Sequence, residues 1–343
     1  MEQTIIVTGG AGYIGSHTVV ELQNSGYQVA IIDDLSNSNL KMLGQIEKIT
    51  GKRPVFFEFD LCDFQRLDQC LAELKNPVAI IHFAAKKAVG ESVEKPLLYY
   101  RTNIQSLLNL LELMPKYGIP NFVFSSSCTV YGQPEQLPVN EQTPFQPAAS
   151  PYGNTKQVCE EILLDTARAQ ADLQVISLRY FNPVGAHDTA LIGELPTGVP
   201  NNLVPFITQT AAGIRKELKV FGSDYNTPDG TAIRDYIHIV DLAQAHVVAL
   251  ERLLANANEK SYEFFNLGTG KGSSVLEVVN AFESATRVPL NYRIVERRPG
   301  DVEQIYADTT LANQVLGWKA QRGLEDMMRT AWKWQTEGAG KLL

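Results

Sequence analysis

Residues 5–15 read "IIVTGGAGYIG", and this stretch decides the fold. A short apolar run of strand length ends in three glycines spaced G-x-x-G-x-x-G, and a helical pattern starts at once. Glycines there permit a tight turn and a close approach of main chain to a pyrophosphate, while the helix N-terminus faces the anion. Elsewhere a glycine triplet is an ordinary turn. Between a first strand and a first helix it predicts a nucleotide cofactor held by Gly9, Gly12 and Gly15.

Working outward, further apolar runs follow at 28–33, 55–60, 78–83, 121–127 and 174–181, rich in Val, Ile and Phe. Few of them alternate polar with apolar, as expected of strands buried on both faces of a parallel sheet. Amphipathic stretches such as "YIGSHTVVELQNSG" (13–26), "NIQSLLNLLELMPKYG" (103–118) and "SPYGNTKQVCEEILLDTARAQ" (150–170) separate them. The alternation predicts an α/β fold with a doubly wound parallel Rossmann sheet. From about residue 182 proline and glycine rise and loops lengthen, while "RDYIHIVDLAQAHVVALERLL" reads as a strand feeding a helix, where the chain is expected to return to the sheet. The expected division is a cofactor domain at 1–181 with about 236–270, and a smaller α/β substrate lobe at 182–235 and 271–343.

The second strand ends at Asp33, 18 residues past Gly15, where a carboxylate bonds a ribose hydroxyl and repels a 2′-phosphate. That favours NAD over NADP. Asp34 beside it reads equally as a solvated turn residue. Asp60 and Leu61 close the third strand beside the expected adenine, and "HFAAKKAVGES" (82–92) follows the fourth strand into the cofactor crevice.

Tyr152 and Lys156 stand at i and i+4 on a helix whose start is marked by Ser150 and Pro151. Isolated, such a pair is ordinary surface decoration. Here "FSSSCTVYG" (124–132) ends a buried strand upstream and offers Ser127 as a partner. A lysine ammonium beside the phenol is expected to lower the tyrosine pKa, so that Tyr152 exchanges a proton with an alcohol.

Bulk properties narrow the field. The 343 residues carry a net charge of −8, which argues against broad nucleic-acid binding. No apolar run approaches the ~20 residues of a membrane span, and no signal peptide is visible in "MEQTIIVTGG". Four scattered cysteines read as free thiols of a cytoplasmic protein, and the five histidines form no metal-binding pattern.

Taken together, "TGGAGYIG", "HFAAKKAVGES", "SSSCTVYG", "SPYGNTK", "LRYFNPVGA", "PNNLVP" and "GTAIRDYIHIVDLA" resemble the UDP-glucose 4-epimerase family of the extended short-chain dehydrogenase/reductases. The resemblance runs from residue 4 to about 334. It implies a tightly bound NAD, a 4-keto sugar formed by reversible oxidation at C4, and return of hydride to the opposite face. Tyr152, Lys156 and Ser127 become the catalytic set. The implied cofactor contacts are Gly9, Gly12, Tyr13, Ile14, Gly15, Asp33, Asp34, Leu35, Ser36, Asn37, Ser38, Asp60, Leu61, Phe83, Ala84, Ala85, Lys87, Asn103 and Phe181, with Ser127, Tyr152 and Lys156. The implied UDP-hexose contacts are Lys87, Ser127, Tyr152, Asn182, Asn202, Leu203, Val220, Phe221, Arg234, Arg298, Asp301 and Ile305. A homodimer is implied as well, with "NIQSLLNLLELM" (103–114) or the helix after Tyr152 as its face.

Two departures from the family pattern stand out. Lys86 precedes Lys87 where an apolar residue is common. Ile305, just before "YAD", has intermediate bulk where size tunes acceptance of an N-acetyl group, which leaves N-acetylated UDP-sugars open. Rival readings are a nucleotide-sugar 4,6-dehydratase, a net NAD-dependent dehydrogenase or another nucleotide-sugar epimerase, and a scaffold without chemistry. The dehydratase needs carboxylates beside Ser127, where Cys128 and Thr129 stand. The intact Ser127, Tyr152 and Lys156 set argues against the scaffold.

Overall fold

The six apolar runs become parallel strands of one sheet, and a seventh strand from Tyr262–Leu267, outside those runs, joins them at its edge. The computed structural model describes residues 2–297 and 302–342. In chain order the first part comprises β1 (Thr4–Thr8), α1 (Tyr13–Asn24), β2 (Gln28–Asp33), α2 (Lys41–Thr50), β3 (Val55–Glu58), α3 (Phe64–Glu73) and β4 (Pro77–His82). There follow α4 (Val89–Glu94), α5 (Pro96–Leu113), β5 (Asn121–Ser127), α6 (Pro151–Ala169) and β6 (Gln174–Tyr180). The later part contributes β7 (Asn182–Val184), α7 (Leu203–Ala211), β8 (Leu218–Phe221), β9 (Ile233–His238), α8 (Ile239–Leu254) and β10 (Tyr262–Leu267). It ends with β11 (Gly272–Ser274), α9 (Val275–Thr286), β12 (Tyr292–Val295), β13 (Gln304–Ile305) and α10 (Leu324–Lys333).

Period-two alternation explains why the strands are apolar throughout. Ile5, Val7, Ile31, Ile81, Val123, Ile176 and Leu178 point to one face, against Val19, Val20 and Leu22 of α1, Leu43 and Ile46 of α2, and Leu242 and Leu250 of α8. Ile6, Ile32, Ile80, Phe122, Phe124 and Val175 point to the other, against Leu67 and Leu71 of α3, Leu107 and Leu110 of α5, and Leu163 of α6. Each such side chain contributes roughly 1.5–3 kcal/mol by leaving water.

The strand order is β10-β6-β5-β4-β1-β2-β3. The order reverses between β1 and β4, so the crevice outside their C-terminal ends is the natural ligand site of such a sheet. One expectation is corrected. The strand in "RDYIHIV" is β9, which pairs with β7, β11 and β13 in a second, four-stranded sheet rather than joining the main one. The return to the main sheet is made by α8, packed on α1, and by β10 at the edge beside β6. A third apolar cluster, with Val204, Ile207, Val220, Val279, Phe282 and Met328, supports this smaller part.

Candidate active site

The glycine loop leaves β1 against the start of the β4 crossover. A Cβ on Gly9, where φ is +69, would lie 2.8 Å from the Ala84 amide nitrogen, and one on Gly15 would lie 2.2 Å from the Gly9 oxygen. Main chain therefore forms the wall on both sides of the switch point. Gly12 caps α1 with no side-chain cap bond, so the helix N-terminus is presented by backbone alone. Tyr13 and Ile14 continue from it, and the Tyr13 hydroxyl donates to the Gly185 oxygen at 2.7 Å, which joins the loop to the second part of the chain.

Asp33 holds this loop. It accepts from Ala11 N at 3.0 Å, Leu35 N at 2.9 Å and Ser38 Oγ at 2.7 Å. Burial raises its pKa, and those hydrogen bonds pull the other way. A carboxylate has about four acceptor positions, so capacity remains for a ribose hydroxyl. Asp34 is exposed and accepts from Ser36 N at 2.9 Å, the geometry of a turn residue. Asn37 accepts from Thr197 at 3.1 Å, and the Lys86 ammonium reaches Ser36 Oγ at 3.0 Å. Asp60 is exposed and accepts from Cys62 N at 2.9 Å, whereas the Leu61 side chain is core. Phe83 packs on His246 with ring centroids 4.7 Å apart, beside half-buried Ala84 and Ala85. Asn103 clamps both polar backbone atoms of Lys86, at 2.8 and 3.0 Å, and donates to Thr155 Oγ1 at 3.1 Å. It thereby ties the crevice loop to the helix of Tyr152.

The acid/base pair sits at the first turn of α6, at the C-terminal end of β5. Ser150 caps the helix by accepting from Gly153 N at 3.1 Å, with Pro151 in the first turn. The Lys156 ammonium is buried; it donates to the Ser125 oxygen at 2.6 Å and lies 4.6 Å from the Phe124 ring centroid. Burial lowers its pKa to about 8. Tyr152 departs from expectation. Burial pushes its phenol well above the ordinary value, Tyr180 adds to this, and a hydrogen bond with Ser127 pulls it back. The Lys156 ammonium makes its hydrogen bond to the Ser125 carbonyl rather than to the phenol. Ser127 also accepts from Thr129 N at 3.2 Å.

The second part of the chain closes the site from the other side. Arg234 on β9 donates to the Ile233 oxygen at 2.8 Å, and its charge reaches Cys128, next to Ser127. Asn182 opens β7, paired with Tyr236. Asn202 caps α7 and donates to Glu194 at 2.7 Å, and Leu203 begins that helix. The Val220 side chain is in the third apolar cluster, whereas Phe221 next to it is 38% exposed. Ile305 pairs with Arg234 across β13 and β9 and is buried with Phe181, Val130 and Tyr131. Lys87 is exposed at the crevice, near Glu194. Arg298 and Asp301 lie outside the described residues.

Comparison with known proteins follows from this geometry. Residues 6–331 match the family described as GDP-mannose 4,6 dehydratase. The UDP-glucose 4-epimerase of Haemophilus influenzae is 52% identical over 96% of this chain and 97% of its own. That of Bacillus subtilis is 52% identical over 97% and 96%. The chain belongs to the UDP-glucose 4-epimerase family. Among solved structures, the Bifidobacterium longum epimerase in complex with NAD+ and UDP superposes with a TM-score of 0.93 at 46% identity, covering 98% of each chain. The Stenotrophomonas maltophila epimerase, with bound NAD and formylated UDP-arabinopyranose, gives 0.94 at 49% identity, covering 97% of this chain and 98% of that one.

For this epimerase-family chain the sequence reading passed over the layer behind the pair. Ser125 and Tyr180 bond through their hydroxyls, and Ser126 bonds Glu160. The Arg179 guanidinium donates to Glu160 at 2.9 Å and to the Tyr131 hydroxyl at 3.0 Å, all buried. The available signal was spacing: Glu160 is four residues after Lys156, and Arg179 precedes Tyr180 inside an apolar run. Glu194, in the proline-rich segment, was also passed over.

Proposed function

We propose that this protein interconverts UDP-glucose and UDP-galactose by reversible oxidation at the sugar C4, with NAD as a retained cofactor. The observation that carries the proposal is the convergence of Ser127, Tyr152 and Lys156 beside the glycine-loop crevice, with the Arg234 cation next to Cys128 on the opposite wall. The residues present fit a dinucleotide: main chain at Gly9 and Gly15 leaves no room for a Cβ, and Asp33 retains acceptor capacity. When bound, NAD supplies a nicotinamide that accepts and returns hydride, and a positive charge beside the phenol.

The roles of the chain's own residues follow. Backbone amides at Tyr13, Ile14 and Gly15 receive the pyrophosphate, the Gly12 N–H being spent on the Gly9 oxygen at 3.1 Å, and Asp33 receives a ribose hydroxyl while repelling a 2′-phosphate. Lys156, fixed by the Ser125 carbonyl, stabilises negative charge on Tyr152. Tyr152 takes the proton of the sugar 4-hydroxyl and gives it back, with Ser127 hydrogen-bonded to the same oxygen. Arg234, with Arg298, grips the diphosphate, where guanidinium geometry suits phosphate oxygens, and Asp301 is a further contact to the UDP. The sugar itself must be held loosely enough to present either face.

Residues 1–181 with about 236–270 form the cofactor-binding part in this reading, and 182–235 with 271–343 the UDP-sugar lobe. A homodimer completes it. The 103–114 stripe is spent on the core through Leu107, Leu110 and Leu111, but Val89, Val93 and Leu97 are 50%, 64% and 76% exposed along α4 and α5. A monomer by light scattering would remove that part of the reading. The four free cysteines fit a cytoplasmic setting, and among the described residues no helix is long and apolar enough to cross a membrane.

Incubation with UDP-galactose tests the activity. UDP-glucose is expected, with no lasting rise in nicotinamide absorbance. Accumulated NADH would favour the net dehydrogenase, and loss of water from the sugar the dehydratase. A parallel incubation with UDP-N-acetylgalactosamine reports how much bulk passes Ile305.

A further inference from the structure

Glu194 stands where the two parts of the site meet. The backbone before and at Glu194 is pinned by Trp334: a Cβ on Gly193 would lie 2.5 Å from the Trp334 ring, and the Trp334 indole N–H donates to the Glu194 oxygen at 2.8 Å. With its main chain fixed, the half-buried side chain reaches Asn202, whose amide N–H donates to Glu194 Oε1 at 2.7 Å. Burial and then the Glu194 charge raise the Tyr13 pKa, and burial raises the carboxylate's own pKa while the Lys87 charge pulls it down. Tyr13 belongs to the phosphate loop, Lys87 to the crossover after β4, and Asn202 to the cap of α7.

An anion in this place is not itself a ligand for a diphosphate, because like charges repel. It is suited to orient a group that is. An asparagine amide is planar, so holding one N–H fixes the direction in which its carbonyl and second N–H are offered.

We propose that Glu194 is a positioning residue that sets the Asn202 amide for a uridine diphosphate-sugar. This rests on the reading above that Asn202 lines the UDP-sugar site. A bond to a charged acceptor is worth about tenfold in affinity.

The test uses the NAD-loaded protein and UDP as probe, by calorimetry, together with steady-state kinetics on UDP-galactose. Glu194→Ala is expected to raise the UDP dissociation constant and the KM about tenfold, with kcat within about threefold and NAD content unchanged. Glu194→Gln retains an acceptor for Asn202 and is expected to restore most of the UDP affinity. The Glu194→Ala and Asn202→Ala effects should be strongly non-additive. Unchanged UDP affinity in Glu194→Ala, or additive effects with Asn202→Ala, would overturn the proposal. If Glu194→Ala does not fold, Glu194→Asp withdraws the oxygen while keeping the charge, and UDP affinity equal to the unsubstituted protein then overturns it. Failure of the unsubstituted protein to bind UDP would overturn the underlying reading instead.

Discussion

In the main sheet the six strands up to residue 180 run four to seven residues, and outside the edge strand β3, where Val55 is 54% exposed, their apolar side chains are packed between two helical layers. In the second part, β7, β11 and β13 have three, three and two residues, and groups facing the site come from caps, strand ends and long connections. In the proposed function the first region supplies chemistry: its glycine loop, Asp33, Ser127, Tyr152 and Lys156 all stand at C-terminal strand ends or in the helix turns that follow. The second supplies grip in that reading, through Asn182, Asn202 and Arg234. If this division of labour holds, substitutions in the first region should lower kcat with binding intact. Substitutions in the second should raise KM with kcat nearly intact.

The largest effect is expected at Tyr152. Tyr152→Phe should lower turnover by about 10²- to 10⁴-fold, the usual worth of a positioned acid/base group, while UDP and NAD binding persist. Calorimetry and cofactor content check the second half, and unaffected turnover would break the assignment of the phenol.

Lys156 gives the next effect and a sharper signature. Lys156→Met should lower kcat by roughly 10²-fold yet leave the fold at least as stable near pH 7. The folded pKa is about 8 against the ordinary lysine value of 10.5. Between those values the unfolded chain holds more protons, so the stability of the unsubstituted protein should rise as pH increases through that window. Below it the full cost of a buried cation is present, on the order of 3 kcal/mol. Denaturant melts of both proteins from pH 7 to 10.5 check this: the substituted chain should lose that rise.

Third is Arg234. Arg234→Ala should raise KM for the UDP-sugar about 10- to 100-fold, as for a lost hydrogen bond to a charged group, with kcat changed far less. A kcat loss as large as that of Tyr152→Phe would erase the distinction between the regions.

The two regions also differ in how legible they are. A strand buried on both faces announces itself as an unbroken apolar run, and a phosphate loop needs glycines at fixed spacing. The expected strands therefore coincide with β1 to β6 to within one residue at every end except that of β3, which stops two residues early. A strand such as β13 is only two residues long, and its partner β9 lies about 70 residues earlier, so no local period marks it. The strand in "RDYIHIV" carried a correct local pattern and an incorrect sheet, because pairing is non-local. Candidate contacts there came from likeness to a family. The state of the Tyr152 phenol was illegible for a related reason. Spacing places Lys156 on the same helix face, but its ammonium is captured by the Ser125 carbonyl, a partner on another element.

Ser127 offers the smallest and most discriminating effect. Its hydroxyl accepts from Thr129 N and bonds the Tyr152 phenol, and the second bond works against the burial that raises the phenol's pKa. Ser127→Ala removes one neutral hydrogen bond, so kcat should fall by no more than about tenfold. The loss should also depend on pH. Without Ser127 the phenol titrates higher, the deprotonated fraction at a given pH shrinks, and the acidic limb of the kcat profile moves to higher pH. The deficit is therefore largest at low pH and closes as pH rises. A deficit constant across pH would mean that Ser127 acts on the sugar oxygen alone. A change confined to KM would move Ser127 from the region of chemistry to the region of grip.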